Sequence, residues 1–402
     1  MKLIHKRGKR NDMNFKKIFR AFSVSTLFVA LCLIAGCSKT DESSDINMKF
    51  NNFSFLKEEI NGYSFKKHET LDFICDIPTV NAEHVYKYST KNTSSDNTEY
   101  EKQKLKKCMD MIFGLDIPFD KIRDFQSKDA NGDLTSPVPR YDDEENGYAG
   151  EVYTSSSSFL FRHFDPKFDN IDTFFPDDER YGVNDHPKNE YQMLDGSTLT
   201  VDRAIEQAGK FIAFLENEKM FDENETQELS DIKIGNTDKG KVIILHYRHS
   251  KEGLELDEGG IILLGQNDGE AIMRNPFFEI AFSGDDSVFY IKNLYSDQLI
   301  RTEEITDIMP LSKAEKTVSE SLAPNTSFSV YEVGLRYCCI FGVKDMEREY
   351  RPMWCFTLSD RHKGINGNTM QFFPRITAYV DALNGDVYYC DSQQGIFEKQ
   401  DN

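Results

Sequence analysis

Residues 311–341, LSKAEKTVSESLAPNTSFSVYEVGLRYCCIF, decide the fold: a helical segment, a stop, then a long run of strand formers. Ser312 followed by Glu315 has the spacing of a capping box, where each side chain takes the other's backbone N–H, and predicts a helix running to about Leu322. Ala323-Pro324 closes it, because the residue before a proline is pushed out of the helical region. Strands are predicted at Phe328 to Phe341, Tyr350 to Leu358 and Thr369 to Cys390, where β-branched and aromatic residues concentrate. The last run folds back at Asn384-Gly385, a pair that tolerates the positive φ angles of a two-residue hairpin.

The same order occurs upstream. Thr200 caps a predicted helix from Val201 to about Lys219, with Asp202 in the first turn, where the helix dipole favours a negative charge. Ala204, Ala208, Phe211, Ile212 and Leu215 form one continuous apolar stripe. Strands are predicted at Ile232 to Ile234, Lys241 to Tyr247, Gly260 to Leu264, Phe277 to Phe282 and Val288 to Leu294. Asn267-Asp268-Gly269 and Ser283-Gly284-Asp285 supply the turns. A helix followed by antiparallel strands, seen twice, predicts an α+β protein made of tandem units of a helix packed on an antiparallel sheet, residues 197–300 and 301–402. Residues 48–196 form an N-terminal α+β region. It has strand-like runs at Phe73 to Ile77 and His84 to Tyr88 and a helix at about Asp96 to Phe113. In that helix Leu105, Cys108, Met109 and Ile112 fall at i, i+3, i+4 and i+7, and Gly114 ends it. A further strand signal covers Glu151 to Phe164, and the Pro- and Asp-rich stretch from Asp165 to Asn189 reads as a long acidic surface loop.

The chain has 402 residues and a formal charge of −20, with a pI near 4.9. A nucleic-acid-binding domain shows a basic patch or a pI above about 9, so no nucleic acid partner is expected. A mean hydropathy of −0.56 leaves only one stretch apolar enough to enter a bilayer. That stretch, Ala21 to Ile34, follows a basic segment with Lys2, Lys6, Arg7, Lys9, Arg10, Lys16, Lys17 and Arg20, and together they read as a secretory leader. It ends in Leu33-Ile34-Ala35-Gly36-Cys37, and this motif resembles the lipobox of bacterial lipoproteins. The resemblance implies recognition of Ile34, Ala35 and Gly36 by the lipoprotein signal peptidase, removal of residues 1–36, and a diacylglycerol thioether on Cys37. Two acyl chains suffice for stable anchoring, since each buried methylene contributes about 0.8 kcal/mol. The leader carries a net +7, so the mature body stands at −27 and is repelled by anionic headgroups; the lipid must hold it. Residues 37–47 form the lipidated tether, in which Ser38 to Asp45 has no apolar side chain.

Of the eight cysteines, Cys32 leaves with the leader and Cys37 takes the lipid. Cys75, Cys108, Cys338, Cys339, Cys355 and Cys390 are too sparse for a disulfide framework, and no C-x-x-C suggests a zinc ribbon or a redox motif. Buried thiols and one or two cross-strand disulfides both fit, and the spacing leaves the pairing open.

The final region, with Leu311-Ser312-Lys313-Ala314-Glu315, Tyr350-Arg351-Pro352-Met353-Trp354 and Tyr379-Val380-Asp381-Ala382-Leu383-Asn384-Gly385-Asp386-Val387, resembles the PepSY-like pattern. It is similar to extracytoplasmic accessory proteins of Gram-positive sensor kinases. The wider layout, including Asp72-Phe73-Ile74-Cys75-Asp76-Ile77-Pro78, resembles uncharacterised lipoproteins of gut-type Firmicutes. That kinship implies an envelope protein with no assigned activity and brings no catalytic residues with it.

Few motifs in the chain carry chemistry. His246 and His249 point to opposite faces of a strand, with no third ligand nearby, and read as surface or edge histidines. Asp129-Ala130-Asn131-Gly132-Asp133 places its glycine fourth and Arg140 twelfth, which suits a turn and not a calcium loop. The runs Asp142-Asp143-Glu144-Glu145 and Asp177-Asp178-Glu179 read as solvated acidic faces. No nucleophile elbow or phosphate loop occurs. Cys338 and Cys339 face opposite sides of one strand and read as packing residues, and Trp354 reads as a core side chain. No catalytic, cofactor-binding or metal-ligating residue is assigned. The expectation is a non-enzymatic, lipid-anchored module on the extracytoplasmic face of the membrane. It would bind a protein or peptide partner through sheet edges or the acidic loop. An envelope hydrolase and a ligand-binding lipoprotein of a transporter are the alternatives.

Overall fold

In the computed structural model the described residues are 51–90, 98–126, 137–153, 156–163, 179–237, 239–264, 277–294, 298–323, 326–342, 347–360, 376–391 and 397–399. The leader, Cys37, the tether, the Asp129–Asp133 turn, Asp177, Asp178 and most of the acidic loop lie outside them. Strand β1 (Asn51–Asn52) leads into helix α1 (Phe53–Asn61), followed by β2 (Leu71–Phe73), β3 (Val85–Thr90) and α2 (Thr98–Phe113). Short strands come next: β4 (Arg123–Phe125), β5 (Val138–Asp143), β6 (Tyr148–Val152), β7 (Phe159–His163), β8 (Glu179–Gly182), β9 (Glu190–Gln192) and β10 (Thr198–Thr200). After α3 (Val201–Asn217) run β11 (Glu225–Asn236), β12 (Lys241–Lys251), β13 (Leu254–Leu264), β14 (Phe277–Gly284), β15 (Ser287–Leu294), β16 (Leu299–Ile305) and β17 (Asp307–Ile308). Helix α4 (Leu311–Ser321) precedes β18 (Phe328–Gly342), β19 (Glu347–Asp360), β20 (Ile376–Asp381), β21 (Val387–Asp391) and β22 (Phe397–Lys399).

One half of the sheet has the antiparallel spatial order β8-β11-β12-β14-β15-β7-β6-β5-β4. β12 then turns tightly into β13, with Glu252 and Gly253 both at positive φ, as a two-residue hairpin loop requires. β13 lies parallel to β18, and this pairing joins the second half, β18-β19-β20-β21-β22. β2 extends the start of β18, and β3 joins the start of β19 and carries β16. The pairings branch but never return on themselves, so among the described residues the sheet is open and not a barrel.

Two cores lie against this sheet. α3 presents Val201, Ala204, Ala208 and Leu215 to the core that holds Ile232, Leu245, Phe278 and Ile280, and α2 packs Leu105 and Met109 over Gly150 of β6 in the same core. α1 and α4 cover the second half with Leu56, Ile60, Leu311, Ala314 and Val318 against Leu335, Tyr337, Trp354 and Phe356. The α+β class therefore holds, but the protein is mainly sheet and the tandem helix-on-sheet units are not what forms. A strand edge left unpaired at the end of each unit would present a row of open N–H and C=O groups. β13 meets β18 along that edge, and β2 and β3 from the N-terminal part pair into the second half, so one continuous sheet results.

Local expectations fare unevenly. Thr200 caps α3, its Oγ1 accepting from the Arg203 N–H at 3.2 Å. The capping box at Ser312 does not form. α4 begins one residue earlier behind Pro310 with no side-chain cap, Ser312 Oγ donates to Glu59 Oε1 at 2.9 Å, and Glu315 turns inward. The hairpin at Asn384-Gly385 is present with a longer loop. Gly385 N–H reaches back to Asp381 O at 2.8 Å, because Ala382 is docked between Pro352 O and the Met309 N–H.

Candidate functional site

The long strands β18 and β19 are apolar on both faces, so each alternate residue meets a different environment. Val333, Leu335, Tyr337 and Cys339 face the helices, as do Trp354 and Phe356. The opposite face buries Cys338, Ile340, Met353, Cys355, Tyr379 and Cys390 in a separate cluster. Cys338 and Cys339 thus divide between the faces as the alternation predicts, and Trp354 is a fully buried core residue whose Nε1–H donates to Met309 O at 2.8 Å.

On the face away from the helices, side chains from four strands converge. β13 sends Leu254 and Leu256 into the helix-side core and turns Glu255 and Asp257 to the other side. The Sγ atoms of Cys338 and Cys355 lie 3.4 Å apart, both as thiols. Cys338 pairs with Arg351 and Cys355 with Gly334 across the ladder, so the thiols meet on a diagonal. Gly334, opposite Cys355, leaves the room that the Arg336 guanidinium fills. A carboxylate oxygen of Asp257 and the two sulfurs all lie within 4.8 Å of one another, and all three residues are buried. Tyr379 Oη donates to Asp257 Oδ2 at 2.9 Å.

Charge around this cluster is dense, with three carboxylates facing two guanidinium groups. Arg336 reaches Asp257 Oδ1 at 3.8 Å and Glu255 Oε2 at 3.3 Å, and contacts Glu332. Its Nε faces Glu255 without hydrogen-bond alignment, so that contact is electrostatic. Arg248 bridges Glu332 at 3.1 Å and Glu255 at 3.4 Å. Burial pushes both thiols above the ordinary cysteine range, and for Cys338 the neighbouring Cys355 and Asp257 add to this. Burial and then Asp257 likewise raise the Tyr379 phenol. Desolvation alone would lower Arg336, but Glu255 and Glu332 outweigh it and hold the guanidinium charged. A packed site of this kind can exchange thiol protons for a metal ion or hold two neutral thiols in a hydrogen bond.

Other buried polar groups serve structure. Glu315 is fully buried in α4 and accepts from the Lys66 N–H at 2.9 Å while contacting Tyr63 and His68, which ties the connection after α1 to the helix. His246 and His249 are not surface or edge residues. β12 is an interior strand, so His246 packs beside Glu279 at 3.2 Å and His249 is buried against Glu225. Their opposite facing is as expected. In the acidic run, Asp142 pairs with Arg140 and Asp143 accepts from the Asn146 N–H at 3.1 Å. A small hollow of about 130 Å³ between β5, β6 and β7 is lined by Arg140, Glu151 and Arg162, well below the size of a pocket for an organic ligand, roughly 300–1,000 Å³.

Asp257 is the member that sequence reasoning missed. The strand was expected from Gly260, yet it starts at Leu254, and the alternation Leu254-Glu255-Leu256-Asp257 was the available signal. Cys338 and Cys355 were visible as strand residues but their meeting was not.

Fold and cluster together define a mainly-sheet α+β protein with a buried thiol–carboxylate centre. No family model and no curated protein matches the chain. Among solved structures it is similar to an uncharacterised protein from Eubacterium rectale ATCC 33656, with a TM-score of 0.52 and 14% identity over 80% of this chain and 92% of that one. At that identity the likeness concerns the fold alone. A Bacillus megaterium YpeB C-terminal domain also matches, at 11% identity over 78% of this chain and all of that one, with a TM-score of 0.27 that supports no statement about fold.

Proposed function

We propose that this chain is a lipoprotein held at the extracytoplasmic face of a bacterial membrane, acting as a non-enzymatic accessory module that binds a protein or peptide partner. The observation that carries the reading is the order basic segment, apolar run, Ile34-Ala35-Gly36-Cys37, polar tether at the N-terminus. A PepSY-like character for the final region rests on the residues quoted above and belongs to the same proposal. The surface offers a place for a partner. Tyr331 is the extra residue of a bulge in β18, and the Ile74 N–H donates to Val330 O at 3.0 Å beside it. Both Ile74 and Tyr331 are 54% exposed, and bulges commonly re-aim a side chain in this way. β16, an edge strand among the described residues, exposes a further backbone row for strand addition.

Membrane fractionation with mass spectrometry of the N-terminal peptide tests the anchor. The lipidated Cys37 peptide is expected in the membrane fraction, and Cys37→Ala is expected to abolish the lipid mass. An unmodified Cys37 in mature protein that still sediments with membranes overturns the anchor. In-cell photo-crosslinking from Tyr331 tests the partner: reproducible capture of one membrane protein supports the module, and capture of wall material alone removes the reading.

A further inference from the structure

We propose that Asp257, Cys338 and Cys355 form a binding site for one thiophilic divalent cation of the zinc type, held by two thiolates and one carboxylate. Three observations carry it. First, the three donor atoms already converge within 4.8 Å, from β13, β18 and β19, so binding needs no change of backbone pairing. Second, the observed Sγ–Sγ separation of 3.4 Å is close to that of a metal dithiolate. Tetrahedral zinc with Zn–S near 2.3 Å sets its sulfurs about 3.8 Å apart, so the pair must open by only about 0.4 Å.

Third, the charge balances. Asp257, Glu255 and Glu332 face Arg336 and Arg248, which leaves one net negative charge before any thiol ionises. The step is M²⁺ plus two thiols giving the dithiolate complex plus two protons released to solvent, so the charge of the buried site does not change. No oxidant or reductant is needed. Tyr379 is a positioning residue: its hydroxyl donates to Asp257 Oδ2 at 2.9 Å and fixes the carboxylate, as outer partners of metal ligands do. A water would complete the tetrahedron.

Cobalt(II) is the probe. The full lipidated chain in detergent, reduced and under nitrogen, is unfolded in urea and refolded with Co(II), because the ligands are buried. The expected result is a near-ultraviolet sulfur-to-cobalt charge-transfer band with tetrahedral visible bands, saturating at one ion per chain and bleached by Zn(II). Cys338→Ser and Cys355→Ser should each remove or strongly weaken the charge-transfer band, while Cys339→Ser and Cys390→Ser leave it intact. Tyr379→Phe should weaken binding by about 10–100-fold. Apparent affinity should rise about a hundredfold per pH unit below the thiol range, since two protons leave. Absence of the band at saturating Co(II), or a band that survives the Cys338/Cys355 double substitution, overturns the site. So does a Cys338–Cys355 disulfide recovered from cells, which would make the pair a redox couple. Should the serine variants fail to fold, a wild-type band too weak for two thiolates overturns the site, and Tyr379→Phe and the Cys339→Ser and Cys390→Ser controls still assign it.

Discussion

Replacing Trp354 by Phe probes the second core at its largest side chain. Trp354 is fully buried beneath α4, and its indole N–H is the donor to Met309 O at 2.8 Å. Phe keeps the aromatic contact with the helix face but removes the donor, leaving a buried carbonyl short of a partner at a cost of about 1–3 kcal/mol. The smaller ring also leaves a void of roughly 40 Å³, which at ~24 cal/mol per Å³ adds about 1 kcal/mol. The expected loss is about 2–4 kcal/mol, against about 3–5 kcal/mol for Trp354→Ala, whose larger void partly collapses. Equilibrium urea unfolding followed by far-ultraviolet circular dichroism measures it, since no other tryptophan remains to report. Tyr331→Phe, at an exposed bulge, is the control and should stay within about 0.5 kcal/mol. A loss below about 1 kcal/mol for Trp354→Phe would show that the Met309 carbonyl finds another donor and that the core is loosely packed there.

Two glycines should respond in opposite directions. Gly209 lies on the exposed side of α3 with open space around an added Cβ, so Gly209→Ala should stabilise by about 0.5–1 kcal/mol. At Gly240 the Cβ would sit 2.5 Å from the Met193 carbonyl oxygen, a backbone atom that cannot swing away, so Gly240→Ala should destabilise in the same urea assay. Equal effects at both sites would refute the close approach of Met193 to β12. Glu279 governs part of the acid limb. Burial opposes its charge, but the hydrogen bond from His246 and the ammonium groups of Lys292 and Lys233 outweigh burial and hold its carboxyl well below the ordinary 4.5. A depressed folded value means stability that is present above the unfolded pKa and lost as pH falls below about 4.5. Stability measured from pH 6 downward should therefore fall less steeply in Glu279→Gln than in the parent, and superimposable acid limbs would exclude this network as the cause.

Much of this protein was legible locally. The i, i+3, i+4 positions of Leu105, Cys108, Met109 and Ile112, and the stripe on α3, come from the helical period, which assigns each side chain to a face without knowing what covers it. Strand alternation likewise separated Cys338 from Cys339 and marked Trp354 as core. The proposed leader and Cys37 anchor rest on order and composition alone. Tertiary structure decided the rest. Backbone N–H and C=O groups are alike in every strand, so no local signal says that β13 pairs with β18 or that β2 and β3 leave the N-terminal part to join the second half. Glu315, placed by its spacing in a capping box, found Tyr63 and His68 from a segment far away in the chain and gave up the cap. Asp257, Cys338 and Cys355 meet because β13 pairs with β18 and β18 with β19, a property of three strands together and of none of them singly.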